Sequence, residues 1–213
     1  FPYTTLFRST MQNTLQQISI YGRLLGAVFY YEPNDARLTD ILTFFRQPNW
    51  MQEWEISFDV KTYKKITALI EKGLQQNITE QYQYLFIGPN ELPTPPWGSV
   101  YLDPECVIFG NSLLALRDFL QQHQIAFQTQ QDEPEDHIGL MLMLAAYLAE
   151  NQPHLLIEFL REHFLTWAYH FLEQLSKIEN SDFYQALALL TIKTLQQWQV
   201  DLHINVPTVR FYR

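Results

Sequence analysis

Across residues 15–31 the apolar positions Ile18, Tyr21, Leu25, Val28 and Phe29 recur at the steps of one helical face. Pro33 ends that run, and Asn34 or Asp35 is placed to cap a second helix reaching about Phe45. Gln47, Pro48, Asn49 and Trp50 read as a turn. The helical step returns over 60–74 through Tyr63, Ile66, Leu69 and Ile70, then in a short helix capped by Thr79 and ending near Phe86. Residues 88–98 carry prolines at 89, 93, 95 and 96, which predicts an extended loop that cannot be helix.

Helical spacing resumes over 111–123, and 125–132 reads as a polar connection. Asp132, Glu133, Pro134 and Glu135 predict a helix start, with Asp132 as cap, Pro134 in the first turn and Glu135 at capping-box spacing. The stretch from there to about Glu150 is apolar nearly all round, which predicts a helix in the middle of the molecule. Pro153 opens another helix reaching Leu175, and Ser181 or Asp182 caps the last one through Trp198. The expected fold is all-α: a single-domain helical bundle with one long proline-rich loop, spanning residues 11–213. Residues 1–10, ahead of Met11, have no helical or strand period and read like one frame of a sequencing adaptor, so they are expected to be a non-native extension.

Composition narrows the function. With 47% apolar and 17% charged residues the chain has ample material for a core. The formal net charge of −9 argues against nucleic acid and against an anionic membrane surface as main partner. The longest apolar run, at 138–149, is too short to span a bilayer. The single cysteine, Cys106, excludes an internal disulfide and a thiolate zinc site. It lies in an apolar stretch and is expected to be a small buried residue. No glycine-rich phosphate loop and no paired-histidine zinc motif is present, and His163 and His170 read as partly exposed helix histidines. These absences point away from an enzyme, from a metal and from a resident cofactor.

Two constellations rise above that background. Tyr82, Leu85 and Phe86 precede the stiff loop carrying Pro96 and Trp97, and together they would make an apolar slot for a peptide. The alternative, that Trp97 only pins the loop to the core, stays open. Residues 132–137 place Asp132, Glu133, Glu135 and Asp136 beside His137. Acids at a helix start offset its dipole, but clustered carboxylates are also what holds a pair of arginines through forked hydrogen bonds.

At these residues the chain resembles the TorD/DmsD family of redox-enzyme maturation chaperones. The similarity rests on Leu85-Phe-Ile-Gly-Pro89, Pro96-Trp-Gly-Ser-Val100 and Glu133-Pro-Glu-Asp-His137, and it runs from about Leu24 to Arg213. The Pro-Pro-Trp-Gly loop favours the DmsD branch. The resemblance implies a cytoplasmic, non-enzymatic chaperone for the twin-arginine leader of a molybdenum oxidoreductase, dimethyl sulfoxide reductase, with export delayed until folding and cofactor loading. It makes the Tat translocase a further candidate partner. It assigns leader binding to Tyr30, Leu85, Phe86, Pro96, Trp97, Gly110, Asp136 and His137, with Tyr82 standing where a relative has Trp. Alternatives are a trimethylamine N-oxide or nitrate reductase client, a protein that binds GTP or molybdenum cofactor, and a scaffold without leader specificity.

Overall fold

The computed structural model describes residues 2–126 and 132–213, with side chains described from residue 10. Residues 127–131, and with them most of the expected polar connection, lie outside the described residues. Helices α1 (Pro2–Tyr30), α2 (Thr39–Arg46), α3 (Val60–Leu74) and α4 (Ile78–Tyr82) come first. α5 (Gly98–Leu102), α6 (Asn111–Gln122), α7 (Ile138–Asn151), α8 (Pro153–Glu158), α9 (Leu165–Leu175) and α10 (Asp182–Asp201) follow. There is no strand among the described residues, only an isolated bridge between Trp97 and His137. The all-α expectation holds.

The interior helix is α7. Ile138, Leu140, Met141, Leu142, Leu144, Ala145 and Leu148 are all buried, as a segment apolar on every side requires. It packs most extensively against α1, while α10 lies against α3 and α9. The α1–α7 contact is a glycine crossing. A Cβ on Gly22 would sit 2.6 Å from the Leu142 carbonyl oxygen, and one on Gly26 would sit 2.7 Å from that of Gly139. A Cβ on Gly139 would in turn meet the Gly26 carbonyl oxygen at 2.7 Å and the Tyr30 Cβ at 2.8 Å. The two backbones are therefore closer than any side chain would allow, and the end of α1 is set against the beginning of α7.

Local sequence accounts for several boundaries and not for others. Asp59 caps α3 by accepting from the Thr62 N–H at 2.9 Å, and Asp35 accepts from the Arg37 N–H at the start of the second helical segment. The short fourth helix is capped by Asn77, not Thr79: the Asn77 Oδ1 accepts from the Glu80 N–H at 3.2 Å. α1 begins at Pro2, well before the apolar spacing starts. Once nucleated, a helix adds a residue for each new hydrogen bond, so apolar spacing is a poor guide to its first residue. α4 runs on into a π-helical turn at Gln83–Ile87, closed at Gly88 with φ +105°, where only glycine is at ease. A second π-helical turn, Phe159–Phe164, joins α8 to α9. Residues 89–96 carry no helix, and Gly98 opens the short α5, which lies against Trp167.

Beyond α10 the chain crosses back over α5 and α9. The Phe211 ring stacks on His170 at 4.0 Å, the Tyr212 N–H donates to the Tyr101 carbonyl at 3.0 Å, and Arg213 pairs with Glu91 at 2.8 Å. Cys106 is half-buried, not fully buried as its apolar neighbours suggested. Its φ of +52° turns the chain there, and its thiol donates to the Tyr212 carbonyl at 3.4 Å. His163 and His170 are half-buried helix residues as expected, and no group of three metal-ligating side chains occurs among the described residues.

The glycine crossing gives a direct test. Alanine at position 26 gains about 1 kcal/mol of helix propensity but drives a methyl into backbone that cannot yield, at a cost of roughly 1–3 kcal/mol. Gly26→Ala is expected to be no more stable than wild type and up to about 2 kcal/mol less stable in urea unfolding. An increase in stability would show that the helices can part without loss.

Candidate functional site

Two loop segments are stitched together ahead of α7. The Gly98 N–H donates to the Asp136 carbonyl at 3.2 Å and the Ile138 N–H to the Pro96 carbonyl at 2.8 Å. The Asp136 carboxylate accepts from the Ser99 N–H at 2.7 Å, so it caps the first turn of α5 across the stitch. On the proline-rich side, the Tyr101 hydroxyl donates to the Pro95 carbonyl at 2.6 Å and lies 2.9 Å from the Thr94 hydroxyl. The loop carrying Trp97 is thus rigid because its backbone is used up in tertiary bonds, not only because of its prolines.

These bonds overturn the expected helix start at 132–135. α7 begins at Ile138, with His137 as its cap: the His137 Nδ1 accepts from the Gly139 N–H at 3.1 Å. Asp132 sits at φ +54° and is exposed, so it caps nothing. The capping-box spacing is locally sound but loses to the stitch, which needs Asp136 in a turn and His137 in extended backbone. The acidic cluster is dispersed as a result. Glu135 pairs with Arg117 at 2.8 Å, Asp136 is buried, and Glu133 turns toward Trp97, whose indole N–H donates to its carboxylate.

Glu133 enters a cleft of about 310 Å³ that it shares with Tyr30, Tyr31, Glu32, Asn34, Asp35, Tyr82 and Ile87. The Tyr82 hydroxyl donates to the Tyr30 carbonyl at 2.7 Å, fixing the floor. The His137 ring lies behind, edge-on to Tyr30 at 5.5 Å and to Trp97 at 6.1 Å. Of the expected site residues, then, Tyr30, Tyr82 and Glu133 line the cleft and Trp97 borders it. Pro96, Asp136 and His137 support it from beneath. Leu85 and Phe86 are core residues, at 0% and 5% exposure, and Tyr82 at 3% shows the cleft only a margin. The apolar slot they were expected to form is filled: Phe86 packs on Phe29 and Tyr184. Gly110 lies elsewhere, at the start of α6, where a Cβ would collide with the Asp103 carboxylate that accepts from the Asn111 N–H at 2.8 Å.

The residues that sequence reasoning missed are Tyr31, Glu32, Asn34, Asp35 and Ile87. A signal was present in Glu32, because an acid just past a helix C-terminus faces the negative end of the dipole and does nothing for stability. Among the described residues Glu32 has no ion-pair partner, whereas Asp35 is paired with Arg37 at 2.6 Å. The Arg37 guanidinium lies 3.7 Å from the centre of the Tyr31 ring.

Electrostatically the site is dominated by carboxylates. Burial raises the Glu133 carboxyl above its ordinary range, against the Trp97 hydrogen bond, which lowers it, and with a further rise from Asp136. Burial also raises the Tyr82 hydroxyl, with smaller contributions from Glu32 and Glu133. Asp136 is raised by burial, opposed by its bond from Ser99. His137 goes the other way: burial pushes it down to about 3, so it is neutral at ordinary pH and brings no positive charge to the cleft. The arrangement suits a cation with several N–H donors, whose charge would relieve the crowded carboxylates.

A sequence profile for the family described as Nitrate reductase delta subunit matches residues 56–173. A Tat proofreading chaperone DmsD from Haemophilus influenzae is 98% identical over 203 residues, covering 95% of this chain and all of that one. The chain belongs to the TorD/DmsD family of redox-enzyme maturation chaperones. The Tat proofreading chaperone DmsD of Salmonella typhimurium is 39% identical, over 92% of this chain and 95% of its own. The fold is shared with a crystal structure described as a redox enzyme maturation protein from Archaeoglobus fulgidus, at a TM-score of 0.51 and 19% identity, covering 82% of this chain and 92% of the other. Relatives that bear chaperone names agree with the non-enzymatic expectation. No helix among the described residues is long and apolar enough to cross a membrane.

The buried histidine makes stability depend on pH in this family member. Unfolding frees His137 to take a proton near its ordinary pKa of 6.5, while the folded state refuses one until about 3. Its contribution is therefore complete above the unfolded pKa and declines as pH falls below it. Between about pH 7 and pH 5 wild type is expected to lose about 2 kcal/mol more than His137→Asn, whose amide can still cap α7. Urea unfolding of both at the two pH values measures this, and parallel losses would place His137 in contact with water.

Proposed function

We propose that this chaperone binds the twin-arginine leader of a molybdenum oxidoreductase catalytic subunit, dimethyl sulfoxide reductase, before export. The observation that carries the reading is the cleft itself: Glu133 and Glu32 supply carboxylates, Tyr30 and Tyr31 supply ring faces, and no cation among the described residues pairs with Glu32. A leader arginine would place its planar fork between Glu133 and Glu32, with a Tyr ring against its face. The resident stacking of Arg37 on Tyr31 is the same interaction made within the chain. The apolar stretch that follows the arginines would run over Ile87, which is 55% exposed, and the half-buried Trp97.

No covalent chemistry is needed. A leader held here is unavailable to the Tat translocase, so export waits on dissociation, and the delay gives the client time to fold and load its cofactor. The place of action is then the cytoplasm, ahead of translocation. Asp136, His137 and Pro96 act from beneath, by holding Trp97 and Glu133 in position. Naming of the matched profile for a nitrate reductase subunit favours nitrate reductase as the second client to test.

Calorimetric titration with the dimethyl sulfoxide reductase leader and its Lys-Lys version tests the reading. Tight binding that weakens with lysine is expected, and equal binding of both would remove the forked carboxylate contact. Glu133→Gln is expected to weaken the leader about tenfold, while Asp136→Asn, which keeps the acceptor for Ser99, stays within about threefold. Because Glu133 titrates above the ordinary carboxylate range, wild-type affinity should fall as pH drops through that window and Glu133→Gln should flatten the fall. A larger loss from Asp136→Asn than from Glu133→Gln would return the arginine contact to the buried acid.

A further inference from the structure

A second cleft, of about 490 Å³, opens on the other side of the α4 segment, between the start of α4 and the turn before α10. Its lining includes Gln76, Asn77, Glu80, Gln81, Tyr84 and Glu179. Three of these are amides, and each already donates one bond inside the protein, while Asn180 completes the lining. The Gln76 amide N–H donates to Asp182, which Lys72 also holds at 2.9 Å. The Gln81 amide N–H donates to the Gln76 oxygen at 2.7 Å, and that of Asn77 reaches Glu80 at 3.5 Å. The network also leaves a buried acceptor over. The Gln81 side chain is 7% exposed, and its Oε1 is buried with no hydrogen-bond partner. A buried amide oxygen without a donor is destabilising, and a bound donor would relieve it. Glu80 and Glu179 are exposed, and neither is ion-paired among the described residues. The Tyr84 ring, 53% exposed, offers a π face beside them.

We propose that this cleft is a second guanidinium site, taking an arginine side chain of the same leader. It rests on the leader-binding reading for the identity of its occupant. The cleft offers the Glu80 and Glu179 carboxylates and the unpartnered Gln81 oxygen as acceptors, and a guanidinium brings five N–H groups and a planar face to meet them. Gln81 and Tyr82 are consecutive, so the two clefts flank one helical segment. In an extended peptide, consecutive side chains point to opposite sides. Adjacent arginines of an extended leader would therefore point apart, and a second acceptor site on the same helical segment gives the other one a place.

The test uses the full chain and side-chain amide signals in ¹H–¹⁵N spectra, with leader affinity measured in parallel. Leader is expected to shift the Gln81 and Asn77 amide signals, and Glu80→Gln/Glu179→Gln is expected to weaken leader about fivefold to tenfold and to abolish those shifts. Both replaced residues are exposed, so folding is not at stake. Unchanged affinity together with unmoved Gln81 and Asn77 signals overturns the site. If wild type takes no leader at all, the leader reading falls instead, and N-acetylarginine amide then judges the cleft alone. Gln81 shifts with that probe, absent with N-acetylcitrulline amide and lost in the double variant, uphold a guanidinium site. No shift, or the same shift with citrulline, overturns it.

Discussion

Helices α1 and α7 touch through glycine, and the geometry of the site follows from that contact. At Gly22, Gly26 and Gly139 a backbone carbonyl of one helix occupies the space where the other would carry a Cβ. With the axes so close, Tyr30 at the end of α1 falls against His137 at the start of α7. The Tyr30 carbonyl then receives the Tyr82 hydroxyl, and the His137 ring receives Trp97. Four segments far apart in sequence meet because two helices lack side chains at their crossing.

The stitch between 96–99 and 136–138 depends in turn on where α7 starts. Had α7 begun at Asp132, as its capping-box spacing suggests, Asp136 would point along a helix instead of into the Ser99 amide. Losing a buried charge-assisted hydrogen bond costs more than a surface cap returns. The acids of 132–136 consequently have four different fates: exposed, facing the cleft, ion-paired and buried. Their crowding in sequence is not crowding in space, and only Glu133 of the four meets the cleft.

Helices were legible wherever apolar spacing was long and regular: the span of α3 and the interior position of α7 follow from period alone. The five-residue α5 was not legible, because it is set by packing against Trp167 and by the cap from Asp136, and no spacing pattern marked the π-helical turns either. Tyr82, Leu85 and Phe86 show why a site is harder to read than a helix. Rings and leucines at helical spacing look the same whether they line a slot or fill a core, and here they fill the core beside Phe29 and Tyr184. Glu32 and Tyr31 entered the site only through the α1–α7 contact, which no local pattern encodes.

Trp97 has one further property. The other four tryptophans, Trp50, Trp54, Trp167 and Trp198, are at most 4% exposed, whereas Trp97 is half-buried at the rim of the cleft with its indole N–H on Glu133. An indole hydrogen-bonded to a carboxylate at a solvent boundary changes its electronic surroundings when that carboxylate acquires a counter-cation. The fold thus contains its own optical gauge of occupancy, a fluorophore at the binding mouth set against four that are shielded from it.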